Sequence, residues 1–181
     1  MTLQGRHNVQ NALAASLAAH FAHVPHDKIV ATLKTFVGLP GRQETVREWH
    51  GVTFVNDTTA TSPEGAMAAL DRFGKAGKVV LIAGGSSKGF TFEEMGMHAR
   101  TACKYAVLLE GTATDDVQKA IGDSVPSVRV KSMKKAVEAA ANVAVAGDIV
   151  LLSPGPARFG LFKNEFDRGG QFVEAVKNLK E

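Results

Sequence analysis

Lys78-Val79-Val80-Leu81-Ile82-Ala83-Gly84-Gly85-Ser86-Ser87-Lys88-Gly89 is the stretch whose reading decides the fold class. A short continuous apolar run, Val79 to Ala83, is how a strand covered on both faces reads. Glycines end it abruptly, and a helical pattern opens at 92. The same alternation repeats outward in both directions. Strands are expected at 45–49, 52–56, 78–83, 105–109, 128–130 and 148–152. Helices are expected at 63–73, 92–101, 114–121, 133–144 and from about 168 to 179. Ser62 followed by Pro63 supplies a cap and an N1 proline for the first of these. Strand–helix alternation of this kind predicts an α/β domain with an open, mostly parallel sheet flanked by helices.

Before residue 39 the pattern differs. Residues 8–21 are Ala-rich, with Leu13 and Leu17 at i,i+4 and no internal Gly or Pro. Pro25-His26-Asp27 breaks this helix and restarts another through Ile29, Leu33 and Phe36. Gly38-Leu39-Pro40-Gly41 then interrupts both. Two helices alone cannot bury their apolar faces, so the interruption reads as a domain boundary after a short two-helix segment, 1–38, with the α/β domain over 39–181.

Composition excludes several classes. The 181 residues are 45% hydrophobic and 22% charged, ordinary for a globular protein. No stretch approaches the roughly 18 apolar residues a membrane helix needs, so no membrane partner is expected. The net charge of +3 is spread along the chain, and a single Trp and a single Tyr leave no basic–aromatic interleaving, so no nucleic acid is expected. A mild positive balance suits small anions such as nucleotides or carboxylates. Cys103 has no partner for an internal disulfide, which fits a reducing cytosol.

Ligands of open α/β sheets collect at the carboxyl ends of the strands, so the residues after each strand carry the information. Asn56-Asp57-Thr58-Thr59-Ala60-Thr61-Ser62-Pro63 gathers small polar groups where a helix begins. That is either an anion site built from amides and hydroxyls or a solvated loop whose Ser62 caps the helix. Gly84-Gly85-Ser86-Ser87-Lys88-Gly89 is either a ligand-hugging turn with a mobile cation or a plain turn. In Ser153-Pro154-Gly155-Pro156-Ala157-Arg158-Phe159 the prolines and glycines fix a backbone path. Arg158 there is either a bidentate carboxylate clamp or a surface arginine. The GxxxxGK[ST] spacing of a P-loop, a Gly-x-Ser-x-Gly elbow and metal-ligand histidine spacing are all missing, so neither a metal nor a catalytic residue is assigned.

Several segments together resemble the Mur ligase family, and within it the glutamate-adding branch. Gly5-Arg6-His7-Asn8-Val9-Gln10-Asn11-Ala12-Leu13-Ala14-Ala15 is similar to its GxHNxxNAxAA helix. Gly38-Leu39-Pro40-Gly41-Arg42 resembles its GLPHR hinge, and Asn56 to Thr61 its NDSKAT segment. Gly84 to Lys88, Leu152-Ser153-Pro154, Phe162-Lys163-Asn164 and Arg168-Gly169 follow in the family's order. The resemblance implies residues 1–38 as the tail of a central ATPase domain and 39–181 as a Rossmann-like C-terminal domain. It implies that the N-terminal and central domains of the same chain, with their P-loop, lie outside this piece, which alone is expected to be inactive. The implied reaction is ATP-dependent addition of D-glutamate to UDP-N-acetylmuramoyl-L-alanine through an acyl phosphate, with Mg2+, in cytoplasmic peptidoglycan synthesis.

By the same resemblance, Asn8 and Asn11 approach ATP from the central-domain side, and Arg42 and Asp57 from the C-terminal domain. Thr61 and Lys88 hold the incoming amino acid's carboxylates, and the loop at Arg158 and Phe159 closes over it. Four positions depart from the family. Thr59 stands where a lysine is usual, Gly41 where histidine, Arg158 where serine, and Glu165 where an aromatic residue is frequent. Loss of a lysine at Thr59 and gain of Arg158 read as an exchange of cations around one carboxylate, or as a change in the amino acid added. Other readings are a ligase for L-glutamate, a relative of folylpolyglutamate synthase, or a stand-alone nucleotide- or amino-acid-binding module.

Overall fold

The computed structural model describes residues 5–86, 89–156 and 160–180, the side chains of Arg6 and His7 excepted. Its backbone divides into two compact units, one ending at Leu39 and one beginning at Pro40.

The first unit holds α1 (Arg6–Phe21) and α2 (His26–Thr35). Val9, Leu13, Leu17 and Phe21 recur every fourth residue along one side of α1, but Gln10 and His20 fall among them and alanines cover the other sides, so the helix has no distinct polar face opposite an apolar one. Leu13, Leu17 and Phe21 are 66%, 58% and 73% exposed, and α2 buries no residue.

The second unit begins with a hairpin, β1 (Glu44–Trp49) and β2 (Val52–Asn56), paired antiparallel with Trp49 opposite Val52. His50 and Gly51 form its turn, both at positive φ (48° and 76°), the geometry that matches the twist of the flanking strands. There follow α3 (Pro63–Phe73), β3 (Val79–Gly84), α4 (Glu93–Ala102), β4 (Cys103–Leu109), α5 (Thr114–Ile121), β5 (Ser127–Val130), α6 (Met133–Val143), β6 (Ile149–Leu152) and α7 (Glu165–Lys177). The sheet runs β1-β2-β6-β3-β4-β5, parallel throughout except at β1. The expected architecture of an α/β, Rossmann-like sheet is the one observed.

Period-two alternation sends successive residues of the central strands to opposite cores. Val79, Leu81 and Ala83 of β3 pack with Leu70 of α3, Met95 of α4 and Val117 of α5. Val80 and Ile82 pack with Met133 and Val137 of α6 and Phe172 of α7. β4 divides likewise, Ala106 and Leu108 to the first core and Val107 and Leu109 to the second. Helices on both faces explain why these strands read as unbroken apolar runs.

Three helices, α3, α6 and α7, start on side-chain caps. The Ser62 and Ser132 hydroxyls accept from the Gly65 and Lys135 amides, each at 3.3 Å. One expected boundary is corrected: α7 starts at Glu165 rather than near 168, because Asn164 Oδ1 accepts from the Asp167 amide at 2.8 Å and so starts the helix earlier. At its other end, Arg47 Nη1 of β1 donates to the carbonyls of Val176, Lys177 and Leu179, supplying donors that the last turn lacks. Cys103 is buried, which pushes its thiol up to about 12 and keeps it protonated.

Candidate functional site

β2, β6 and β3 are adjacent and parallel, so their carboxyl ends open on one edge of the sheet, where backbone alone already joins the three loops. The Ser153 amide donates to the Ile82 carbonyl (3.1 Å), Gly84 to Pro154 (3.0 Å) and Gly155 to Ala60 (3.1 Å).

Asp57 lies at the centre of this edge. Its amide donates to the Leu152 carbonyl at 2.8 Å, extending the β2–β6 pairing by one residue. One carboxylate oxygen accepts from the Ser153 hydroxyl at 2.8 Å and the other from the Gln43 amide at 3.1 Å. A single side chain thus joins the β2 loop, the β6 loop and the turn that precedes β1. Asp57 is 3% exposed, and burial pushes its carboxyl up to about 7. The Ser153 and Gln43 donors and the nearby Arg42 and Arg72 guanidiniums pull the other way. Near neutral pH the group is therefore poised between its two forms.

The turn holding Arg42 is fixed on both sides. The Gly41 amide donates to Glu44 Oε2 at 2.8 Å, and its carbonyl accepts from the Thr59 amide (3.1 Å) and hydroxyl (3.0 Å). Gln43 gives its amide to Asp57, and its side-chain oxygen accepts from Arg72 Nη1 at 2.8 Å. Arg42 itself is exposed. A guanidinium on a clamped turn, next to a buried carboxyl, suits recognition of phosphate, carboxylate or a flat ring.

A buried cation supports the β2 loop. Arg168, at the start of α7, is fully buried, and its Nε donates to the Thr58 hydroxyl at 3.0 Å while Nη2 donates to the Thr58 carbonyl at 2.6 Å. The Thr58 hydroxyl in turn donates to the Glu165 carbonyl at 2.8 Å. Burial lowers the Arg168 pKa to about 10, offset by the charge of Glu165, so the guanidinium stays charged at neutral pH. Gly169 has to be small here, because a Cβ would stand 2.6 Å from Thr58 Cγ2.

Of the residues singled out in the sequence, Arg42 and Asp57 share this edge, and Thr61 is half-buried just before the Ser62 cap of α3. Asn8 and Asn11 lie three residues apart on α1 of the first unit, half-buried and exposed respectively. Lys88, Arg158 and Phe159 fall outside the described residues. Three grooves on helical faces, between α4 and α5, α3 and α4, and α6 and α7, include none of Arg42, Asp57 and Thr61. No group of three or more His, Cys, Asp or Glu among the described residues is arranged to hold a metal ion.

Sequence reading missed Gln43, Arg72 and the structural part played by Arg168. Arg168 was visible as half of the Arg168-Gly169 motif. Arg72 gave no signal, because only the packing of α3 beside β2 brings it toward Asp57.

A family model described as the Mur ligase glutamate ligase domain matches residues 41–155. The UDP-N-acetylmuramoylalanine–D-glutamate ligase of Pseudomonas fluorescens is 44% identical over 181 residues, covering 99% of this chain and 40% of the relative. The ligase of the same name from Roseiflexus is 45% identical, over 98% of this chain and 38% of the relative. The chain thus spans about 40% of the length of the curated relatives it matches. Among solved structures, the UDP-N-acetylmuramate-alanine ligase MurC of Thermotoga maritima superposes with a TM-score of 0.70 at 17% identity, over 98% of this chain and 39% of that one. A pseudomurein peptide ligase type C from Methanothermus fervidus gives 0.70 at 20% identity, over 99% and 37%. These two show a shared fold, and the matched domain together with the sequence identity places the chain in the Mur ligase family of enzymes.

Proposed function

We propose that this segment is the C-terminal part of an ATP-dependent ligase that joins D-glutamate to UDP-N-acetylmuramoyl-L-alanine in peptidoglycan precursor synthesis in the cytoplasm. What carries the reading is Asp57, which ties Gln43 and Ser153 into one rim beside the exposed Arg42. The relatives named above, 44% and 45% identical along nearly this whole chain, supply the substrate names.

In this reading residues 1–38 are the tail of a central ATPase domain, and 39–181 are the C-terminal domain. ATP, once bound with Mg2+, supplies the phosphoryl group that activates a carboxylate for attack by an amine. Arg42 and Asp57 hold the nucleotide from the C-terminal domain, and Asn8 and Asn11 are the nucleotide-binding residues of the ATPase-domain tail. The donor set fits: a guanidinium whose turn is fixed in advance loses little freedom on binding an anionic or flat ligand. Thr61, Lys88, Arg158 and Phe159 bind the incoming amino acid. No catalytic acid or base is assigned to this segment; its work is to orient and to exclude water. No helix among the described residues is long and apolar enough to cross a membrane.

The test is phosphate release from ATP by the full-length enzyme with UDP-N-acetylmuramoyl-L-alanine and either D- or L-glutamate. Release that depends on D-glutamate is the expected result. Preference for L-glutamate, or turnover of a folate acceptor instead, would replace the substrate assignment. The isolated chain is expected to turn over no ATP, and a phosphate burst from it would contradict the division of labour.

A further inference from the structure

Two of the family departures touch each other. Gly41 adopts φ +72°, where L side chains are strained, and a Cβ added there would lie 2.9 Å from Thr58 Cγ2. Its backbone is engaged at both polar atoms, the amide by Glu44 Oε2 and the carbonyl by the amide and hydroxyl of Thr59. Thr59, where the family usually has a lysine, therefore directs its hydroxyl inward to a carbonyl rather than outward to a carboxylate. Two residues after Gly41, Gln43 is itself at positive φ (49°), and its amide and side chain are held by Asp57 and Arg72. Arg42 is the exposed residue between two clamped neighbours.

We infer that Thr59 is a positioning residue for Arg42: its double contact with the Gly41 carbonyl presets the turn that aims the guanidinium. Gly41 and Thr59 form one unit, since the left-handed glycine lets its carbonyl reach Thr59 and a side chain at 41 would push Thr58 away. Gln43 and Arg72 fix the other flank, so the turn is anchored from the β2 loop on one side and from the end of α3 on the other. This places Thr59 on the Arg42 side of the site and not among the groups that bind the amino acid's carboxylates. The inference rests on the reading of Arg42 as a nucleotide-facing residue, and the experiment separates the two.

In the full-length enzyme, Thr59→Val keeps the shape and removes the hydroxyl, Thr59→Ser keeps the hydroxyl, and Arg42→Ala removes the guanidinium. Thr59→Val is expected to raise the KM for ATP about three- to tenfold, the range one ordinary hydrogen bond spans, with the KM for glutamate and kcat nearly unchanged. Thr59→Ser is expected to restore the ATP value. Arg42→Ala is expected to raise the ATP KM at least as far. If Arg42→Ala does so while Thr59→Val leaves it unmoved, Arg42 needs no positioning by Thr59 and the inference is overturned. If Thr59→Val raises the glutamate KM instead, Thr59 belongs to the amino-acid site and the inference is equally overturned. An unaltered ATP KM in Arg42→Ala would instead remove the nucleotide role of Arg42 on which the inference is built.

Discussion

The two units treat apolar residues in opposite ways. In the second, leucines of the three adjacent strands β6, β3 and β4 vanish completely: Leu81, Leu108, Leu151 and Leu152 are fully buried between helices on either face of the sheet. In the first, Leu13, Leu17 and Phe21 stay more than half exposed on a helix of ordinary length. The difference teaches that hydrophobicity alone does not decide burial; a residue is buried when its element has a second layer to pack against. A sheet flanked by α3, α4 and α5 on one face and α6 and α7 on the other provides that layer, and a pair of helices without a sheet does not.

Substitutions sharpen this contrast, beginning with the largest expected effect. Leu81→Ala opens a cavity in a close-packed core and should destabilise the chain by about 3–5 kcal/mol in urea unfolding. Leu17→Ala, the same chemistry on α1, should stay within about 0.5 kcal/mol. Comparable losses at both positions would mean that α1 packs as firmly as the sheet does.

Asp57 gives the next largest effect, with an unusual sign. Its carboxyl is pushed up from the ordinary 3.8 to about 7 by burial. Between those pH values the native chain holds a proton that the unfolded chain has released. This group's contribution to stability is therefore full below about pH 4, declines as pH rises through 7 and levels off above it. That rise, in which the opposing Arg42 and Arg72 charges are already included, corresponds to at most roughly 4 kcal/mol, and partial hydration reduces it. Asp57→Asn should flatten that part of the curve and leave the chain more stable than its parent at pH 8. Thermal unfolding of both forms from pH 4 to 8 measures it, and parallel curves would show that the carboxyl is ionised throughout.

Smaller still is the cap of α7. Asn164→Ala removes the acceptor for the Asp167 amide and should cost about 1 kcal/mol. Circular dichroism melts would register it as a modest drop in Tm, while a loss matching that of Leu81→Ala would mean Asn164 does more than cap.

Much of the second unit was legible in residue order. The run from Val79 to Ala83 announced a doubly covered strand because both neighbouring faces demand apolar side chains, and Ser62-Pro63 announced α3 because orphan amides demand an acceptor. Strand ends pointed to the right loops, since parallel strands put their carboxyl ends on one edge. The start of α7 was placed late because Asp167-Arg168-Gly169-Gly170 looks like a loop until Asn164 is seen to cap what precedes it. Fully buried Arg168 breaks the usual rule for charged residues, and nothing local foretold it.

What the sequence determined by itself was therefore the set of periodic elements, their order and the three loops where polar residues gather. These depend on interactions within a few residues: side-chain period, caps and turns. Only the tertiary structure decided which polar groups meet, because Asp57 with Ser153, Gln43 with Arg72 and Thr58 with Arg168 join positions 96, 29 and 110 residues apart. Such pairings are set by strand order and helix packing, and no local pattern encodes them.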